Sequence, residues 1–270
     1  EVSGTIVDGA QKGRRVTLNP LVGCGRCPAC VLGRDNLCPD RQIISMPPKE
    51  GGFAQYISMR MENLTFVPEG FSLAKACMAE PIACGWHAVR LAKAALDLQD
   101  SGIRALVIGG GAIGVGAALS LIAQGIQNVT LIEPNKIRRE FLTSGENFSM
   151  IAPEALGDDD HYDLVIDGVG YAITRATASK AVRPGGVIMH IGLGSAEGGL
   201  DIRRTTLQEI TFIGTYTYTA ADFRAAAAAM FDGRLGALEW FEARPLSEGA
   251  QAFVDIRQGQ VAAPKIILKP

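Results

Sequence analysis

Four of the six cysteines lie within fifteen residues, at Cys24, Cys27, Cys30 and Cys38. Four thiolates at spacings of three, three and eight residues suit one tetrahedral ion, and zinc binds four sulfurs at about 2.3 Å with no position left for a substrate. Disulfides are the other common use, but a chain of 270 residues does not need them to stabilise its core. The spacing therefore predicts a structural zinc site, with redox-active thiols or an iron–sulfur cluster as the open alternatives.

Three further side chains with metal-binding chemistry, Glu80, Cys84 and His87, follow one another at intervals of four and three residues. On a helix these intervals bring the side chains to one face, where they could ligate a metal. The same pattern is typical of a helix that packs Cys84 and His87 against its neighbours, and we favour this interpretation. Cys77 is expected to be a small buried hydrophobic residue, and the acidic run at 158–160 a solvated loop.

These side chains must be positioned by an alternating strand–helix pattern in the middle of the chain. An apolar strand is expected at 103–108, followed by GGGAIG at 109–114, a helix over about 115–124 and a strand at 128–132. A lone G-x-G-x-x-G is weak evidence, but this one stands between a strand and a helix, as in dinucleotide-binding folds. Its glycines let a diphosphate contact backbone N–H groups at the start of the helix. The residues expected at the diphosphate are Gly109, Gly111, Ala112, Ile113 and Gly114.

Glu133 ends the second strand of this pattern, 24 residues after Gly109. A carboxylate at this place accepts hydrogen bonds from the ribose hydroxyls of the adenosine half, and it repels a 2′-phosphate. The sequence therefore predicts NAD in preference to NADP. Arg138 and Arg139 follow closely enough to leave NADP open.

The strand–helix alternation continues beyond this unit. Strands are expected at 162–166, 187–191 and 210–213, and helices at about 172–182 and 220–231. Thr219 and Asp222 form an imperfect capping box for the last helix. The stretch between Glu133 and Tyr162 is short for a further helix–strand–helix passage. The pattern predicts an α/β fold with a doubly wound parallel sheet.

Composition and charge exclude several classes of function. Lys and Arg number 26 against 28 Asp and Glu, so the net charge is −2, which argues against binding to nucleic-acid phosphates or anionic membranes. No apolar run reaches the roughly 18 residues of a membrane-spanning helix, and residues 1–20 lack the pattern of a signal peptide. We therefore expect a cytoplasmic protein without nucleic-acid or membrane partners.

These motifs together resemble the zinc-containing medium-chain alcohol and polyol dehydrogenases, and they follow one another in that family's order. The matching segments are CGRCPAC with the later NLC, GGFAQY (51–56), AEPIACGWHAV (79–89), GGGAIG, Glu133, RPGG (183–186), IGLG (191–194) and PKIIL (264–268). The resemblance implies a discontinuous, β-rich GroES-like catalytic domain beside a Rossmann domain. We expect the first part of the catalytic domain at 1–85, the Rossmann domain at 86–214 and a return segment to the catalytic domain at 215–270.

The resemblance also implies hydride transfer between NAD(H) and a secondary alcohol or polyol, with a second, catalytic zinc on the substrate oxygen. Glu80 matches a ligand of that zinc, and Glu1 matches a nearby or alternative carboxylate, with a His immediately before residue 1 and a Cys further upstream as the remaining ligands. The cofactor residues that it implies are Val169, Gly192, Leu193, Tyr216 and, at the phosphates, Lys265. Dimers and tetramers both occur in the family, so a homodimer or homotetramer is expected.

Two other classes of function remain open from the sequence. One is a zinc-free reductase of the same fold that delivers hydride to quinones or enones, although the four-cysteine loop speaks against it. The other is a catalytically silent nucleotide-binding or zinc-ribbon module. Metal content separates the three hypotheses, because they require two zinc ions per chain, none, or one.

Overall fold

The protein is described by a computed structural model that covers residues 1–96, 102–143 and 148–270. The strands are β1 Val2–Thr5, β2 Arg15–Leu18, β3 Leu21–Val22, β4 Gln42–Ile43, β5 Leu64–Phe66, β6 Arg104–Ile108, β7 Asn128–Ile132, β8 Ser149–Ile151, β9 Tyr162–Asp167, β10 Val182–His190, β11 Thr211–Gly214, β12 Phe241–Pro245 and β13 Lys265–Lys269. The α-helices are α1 Pro28–Val31, α2 Leu73–Ala76, α3 Ala79–Ala95, α4 Ala112–Ala123, α5 Lys136–Thr143, α6 Ala172–Ala181, α7 Ile202–Leu207, α8 Ala220–Phe231 and α9 Gly249–Arg257.

Six strands of the described chain form one parallel sheet in the order β11-β10-β9-β6-β7-β8. This is the strand order of two βαβαβ halves that meet between β6 and β9, where open α/β sheets bind their ligands. The α/β prediction is confirmed. One strand of this sheet was missed: β8 lies with α5 in the stretch after Glu133 that the sequence indicated as short for a helix–strand–helix passage.

Strand β10 begins earlier than expected. The sequence predicts a helix end and a turn at 183–186, but β10 already pairs with β9 at Val182 and resumes at Val187 after a shift in register. Gly185 has a φ of 68° in this interval. A Cβ on Gly186 would lie 3.0 Å from Asp163 O, so glycine lets the irregular strand stay close to β9.

The remaining strands build smaller β units. Strands β1, β2 and β5 form an antiparallel sheet, and β12 pairs with β13 in parallel. The short antiparallel pair of β3 and β4 joins Leu21 to Ile43 and thereby closes the base of the cysteine loop between them. This region corresponds to the β-rich part that the sequence predicts.

Helix α3 connects the β-rich part to the parallel sheet. It packs so closely on α4 that a Cβ on Gly85 would lie 2.6 Å from Ala117 Cα. Helix α8 lies against α3, and all three helices contribute to one buried core with the sheet. The domain limits at 85/86 and 214/215 stay predictions. Helix α3 runs without a break through the first limit, and α8, which follows the second limit, packs against α3.

A buried ionic cluster fastens α8 to α3. Asp222, which is 3% exposed, has Oδ2 2.7 Å from His87 Nδ1 and accepts hydrogen bonds from Arg90 Nε at 2.6 Å and Arg90 Nη2 at 3.0 Å. Thr219 and Asp222 form the expected capping box at the start of α8. Burial alone would raise the pKa of Asp222, but the hydrogen bonds from His87, Arg90 and Thr219 outweigh it and hold this pKa well below its usual range.

We expect Asp222→Asn to lower the free energy of unfolding at pH 7 by about 2 kcal/mol, because charge-assisted hydrogen bonds to a buried carboxylate are lost. The pKa of Asp222 is depressed in the folded protein. This stabilisation is therefore fully present above the pKa of an aspartate in the unfolded chain, about 4, and is lost as the pH falls from there towards the folded pKa. Urea unfolding as a function of pH measures both effects. The control is Asp232→Asn, which changes an exposed aspartate at the other end of α8 and is expected to have little effect. Equal stability of the two variants would contradict this account.

Candidate functional site

The glycine-rich loop between β6 and α4 has a backbone that side chains would obstruct. Gly109 has a φ of 102°, and a Cβ on Gly114 would lie 1.7 Å from Gly109 O. By contrast, a Cβ on Gly111 would have no atom of the described residues within 4 Å. Helix α4 begins directly after Gly111, without a side-chain cap or an acidic residue in its first turn. The start of α4 is therefore open and electropositive, as a diphosphate site requires.

The opposite wall of this crevice is formed by the ends of β9 and β10. A Cβ on Gly109 would lie 2.4 Å from Val169 Cγ2, and one on Gly192 would lie 2.1 Å from the carbonyl carbon of Val169. The buried carboxylate of Asp167 holds this turn by accepting hydrogen bonds from the N–H groups of Val169 and Gly170 at 3.0 and 2.9 Å. The structure thus brings together predicted residues from three strand ends.

Glu133 lies at the end of β7, 4% exposed, with its carboxylate turned towards the glycine-rich loop. Its Oε2 accepts a hydrogen bond from Gly110 N at 2.8 Å, and its Oε1 accepts one from Asn135 N at 2.7 Å. Each carboxylate oxygen has a second acceptor site that could serve ribose hydroxyls. Arg138 Nη1 lies 3.7 Å from Glu133 Oε2, so the charge expected to favour a 2′-phosphate is also present in the crevice.

Cys24, Cys27, Cys30 and Cys38 converge in the structure. All four sulfur atoms lie within 4.8 Å of one another, as ligands of a single ion must. Backbone N–H groups point at the sulfurs, with Cys24 N 3.3 Å from Cys38 Sγ and Cys27 N 3.4 Å from Cys24 Sγ. Backbone hydrogen bonds from Arg26 and Cys27 lower the pKa of the Cys24 thiol to about 6, whereas burial raises the pKa of the Cys30 thiol to about 12, so the convergence of the four sulfurs is what supports the site. The residues present therefore fit a tetrathiolate zinc site.

The two carboxylates predicted at a catalytic zinc have different partners. Glu80 Oε1 accepts a hydrogen bond from the Tyr218 hydroxyl at 2.9 Å, and burial raises the pKa of Glu80 above its usual value. Glu1 forms an ion pair with Lys265, whose pKa burial lowers to about 8. Lys265 thus contacts a carboxylate, and its contact with cofactor phosphates stays a prediction.

Helix α3 does not gather the three side chains considered as a metal triad. His87 faces Asp222, while Glu80 faces Tyr218. In the part of the chain that the structure describes, the four cysteines are the only group of three or more potential ligands close enough to share an ion. Burial keeps the pKa of Cys84 well above its usual value, so this thiol packs as a neutral residue, as favoured from the sequence.

The remaining predicted cofactor residues differ in their surroundings. Leu193 follows Gly192 and is 85% exposed at the end of β10. Tyr216 contacts the cysteine loop, where its carbonyl oxygen accepts a hydrogen bond from Asn36 Nδ2 at 2.8 Å. Their roles at the nicotinamide stay predictions. Sequence reasoning missed Tyr218 and Asp35, because both act through contacts over more than a hundred residues and carry no local motif.

Comparison with known proteins identifies the family. Residues 1–69 match the model of the alcohol dehydrogenase GroES-like domain, and residues 112–232 match that of the zinc-binding dehydrogenases. The chain is 30% identical to L-galactonate-5-dehydrogenase of Escherichia coli over 236 residues. This aligned region covers 84% of this chain and 67% of that protein. The chain therefore belongs to the zinc-type medium-chain dehydrogenase family, as the motifs predicted.

Two further similarities define how far this relationship extends. Sorbitol dehydrogenase of Bacillus subtilis is 30% identical over 225 residues, which are 80% of this chain and 62% of that enzyme. The crystal structure of L-idonate 5-dehydrogenase from Escherichia coli superposes with a TM-score of 0.87 at 20% identity, over 99% of this chain and 80% of that one. This confirms the Rossmann and GroES-like architecture. Within the described ranges, no helix has both the length and the apolar character to cross a bilayer.

We expect the cysteine loop to hold one tightly bound zinc ion per chain. Cys38→Ser should reduce the zinc content by one ion per chain, because the sulfur of Cys38 is fully buried within the cluster. Cys77→Ser is the matched control, since Cys77 is also buried but lies outside the cluster. Elemental analysis of both purified variants measures the difference. The same zinc content in Cys38→Ser and the unmodified protein would overturn the assignment of the site.

Proposed function

We propose that the protein is an oxidoreductase that transfers a hydride between NAD(H) and a secondary alcohol or polyol or its ketone. The observation that supports this most directly is the open start of α4 at Gly111, with Glu133 beside it. The family and the similarity to dehydrogenases of sorbitol and galactonate favour a polyhydroxylated substrate. The chain spans less than two thirds of the sorbitol dehydrogenase, so the activity of the whole protein belongs to this proposal.

The residues of the crevice have distinct tasks in such a reaction. The N–H groups at the start of α4 bind the diphosphate, and Glu133 accepts hydrogen bonds from the ribose diol. When bound, NAD supplies the hydride acceptor at its nicotinamide ring. Val169 lies between Gly109 and Gly192, so it defines the width of the crevice along which the coenzyme extends. The protein thus contributes alignment of coenzyme and substrate, which is the main requirement of hydride transfer.

The residues described for a catalytic zinc do not complete a site by themselves. Catalytic zinc takes three protein ligands, whereas Glu1 and Glu80 are only two carboxylates, and Glu1 already pairs with Lys265. We therefore derive no step through this ion. A catalytic zinc with further ligands, an assembly of two or four copies and a cytoplasmic location are expectations from the resemblance.

The proposed function makes a prediction for Gly111→Ala. Gly111 has a φ of −77° and free space around its Cβ position, so alanine fits the unliganded loop. A methyl group there would nevertheless occupy the space of the diphosphate. We expect unchanged thermal unfolding, at least about tenfold weaker NADH binding by calorimetry, and a matching loss of polyol-dependent NADH formation.

Gly114→Ala is the matched control, because its methyl group would overlap Gly109 O and disturb the loop itself. This variant should lose thermal stability as well as NADH affinity. If Gly111→Ala bound NADH as well as the unmodified protein does, the proposed coenzyme site would be wrong. Tight NADH binding without turnover of any polyol would instead favour the catalytically silent nucleotide-binding protein.

Replacing Glu133 with Gln should shift the preference between the two coenzymes. The variant keeps the shape of the side chain but removes its charge, so Arg138 Nη1, which lies 3.7 Å from Glu133 Oε2, no longer pairs with a carboxylate and can contact a 2′-phosphate, while Arg138 Nη2 keeps its bond to Val261 O. We expect NADH affinity to fall about tenfold while NADPH affinity rises, because hydrogen bonds to a charged acceptor contribute about 1.5–3 kcal/mol. Glu140→Gln on the exposed face of α5 is the control. An unchanged affinity ratio in Glu133→Gln would contradict this role.

A further inference from the structure

Residues 215–219, which we call the bridging segment, connect β11 to α8 and touch the cysteine loop. Asn36, 3% exposed, donates a hydrogen bond from Nδ2 to Tyr216 O at 2.8 Å. The Arg41 guanidinium lies over the Tyr216 ring at 4.8 Å. Asp35 accepts hydrogen bonds from Ala220 N at 3.1 and 3.2 Å, where a carboxylate also suits the start of a helix. Three residues within the cysteine loop therefore hold both ends of this connection.

The backbone of the bridging segment needs such support. Thr217 has a φ of 46°, a conformation that β-branched residues rarely adopt, and its buried hydroxyl oxygen has no hydrogen-bond partner among the described residues. Strained residues of this kind persist only where the surrounding structure holds them on both sides. Here Thr215 N donates to His190 O at 2.9 Å on one side, and Thr219 caps α8 on the other.

Between these two anchors, Tyr218 reaches the start of helix α3. The side chain of Tyr218 is 1% exposed, and its hydroxyl donates to Glu80 Oε1 at 2.9 Å. A hydrogen bond from such a buried hydroxyl fixes the orientation of the half-buried Glu80 carboxylate. The position of the bridging segment therefore decides where Glu80 points.

We infer that Asn36 and Asp35 are positioning residues, which couple the folded cysteine loop through the bridging segment and Tyr218 to the Glu80 carboxylate. The functional meaning of Glu80 rests on the proposed function, whereas the coupling itself rests on contacts among described residues. The cysteine loop then does more than stabilise its own fold. Loss of its order is expected to release the Tyr218 hydroxyl from Glu80 and to loosen the start of α8.

Hydrogen exchange followed by mass spectrometry tests the coupling without requiring activity. In Asn36→Ala, peptides covering 215–223 should exchange roughly three- to tenfold faster, the size expected for one buried hydrogen bond. Peptides covering β6 and α4 should be unchanged. Asp40→Ala, an exposed change on the same loop, is the control and should behave like the unmodified protein. Unchanged exchange at 215–223 in Asn36→Ala with its zinc retained would overturn the inference.

A second variant keeps the test decisive if Asn36→Ala loses zinc and the loop collapses. Arg41→Ala removes an exposed side chain from the Tyr216 ring and hydroxyl, together with its hydrogen bond to Cys38 O, while leaving the four sulfurs and Asn36 in place. We expect a smaller but selective acceleration at 215–223, with zinc content unchanged. No acceleration in Arg41→Ala, together with a global acceleration in Asn36→Ala, would show that the loop affects the whole fold without a specific connection and would overturn the inference.

Turnover provides an independent measurement of the contact between Tyr218 and Glu80. Tyr218→Phe should lower kcat for polyol oxidation at least about tenfold with unchanged NADH affinity, because it removes only the hydroxyl that orients Glu80. Tyr56→Phe is the control, since this tyrosine is 72% exposed. An unaltered kcat in Tyr218→Phe would overturn the role of Tyr218. A complete absence of polyol turnover in every form, with exchange at 215–223 still dependent on Asn36, would refute the proposed function and leave the coupling intact.

Discussion

The close approach of Gly109 and Gly114 is the constraint on which the nucleotide crevice depends. A side chain at position 114 would overlap the carbonyl oxygen of Gly109, so the tight passage from β6 into α4 exists only because glycine occupies it. That passage points the first turn of α4 at the crevice and leaves Gly111 open. It also lets Val169 from the end of β9 lie against Gly109, which closes the far side. The shape of the site therefore follows from a backbone contact and needs no particular side chain at its floor.

The cysteine loop imposes a second constraint from outside the sheet. Its base is closed by the pairing of β3 with β4, and its interior is suited to one ion held by four sulfurs. Ordering of such a loop and binding of its metal are one event. Asp35 contacts Ala220 at the start of α8, and Asn36 contacts Tyr216 in the bridging segment. Because both residues lie within the loop, the ordered loop also defines the β11–α8 connection. The cysteine loop and the β11–α8 connection are thus joined by direct hydrogen bonds.

The sequence predicted the nucleotide-binding half well because its signals are local. The glycine-rich loop, Glu133 and the capping box of α8 each lie within one short segment, where spacing translates directly into geometry. Strand β8 was not predicted, because three residues are too few to show a hydrophobic period. The early start of β10 was not predicted, because glycine and proline usually indicate a turn. The cysteine cluster was equally predictable from the sequence, since all four cysteines lie in one loop.

The contacts of Glu1 and Glu80 have a different physical origin. Glu1, Glu80, Tyr218 and Lys265 meet across most of the chain length, and their pairing depends on how the β-rich part packs on the sheet. No spacing rule relates residues so far apart, so only the fold reveals that the Glu80 carboxylate has a fixed donor and that Glu1 faces a buried lysine. A buried carboxylate is costly unless hydrogen bonds orient and satisfy it. The Tyr218 hydroxyl meets that requirement, and the bridging segment therefore connects the cysteine loop with the Glu80 carboxylate.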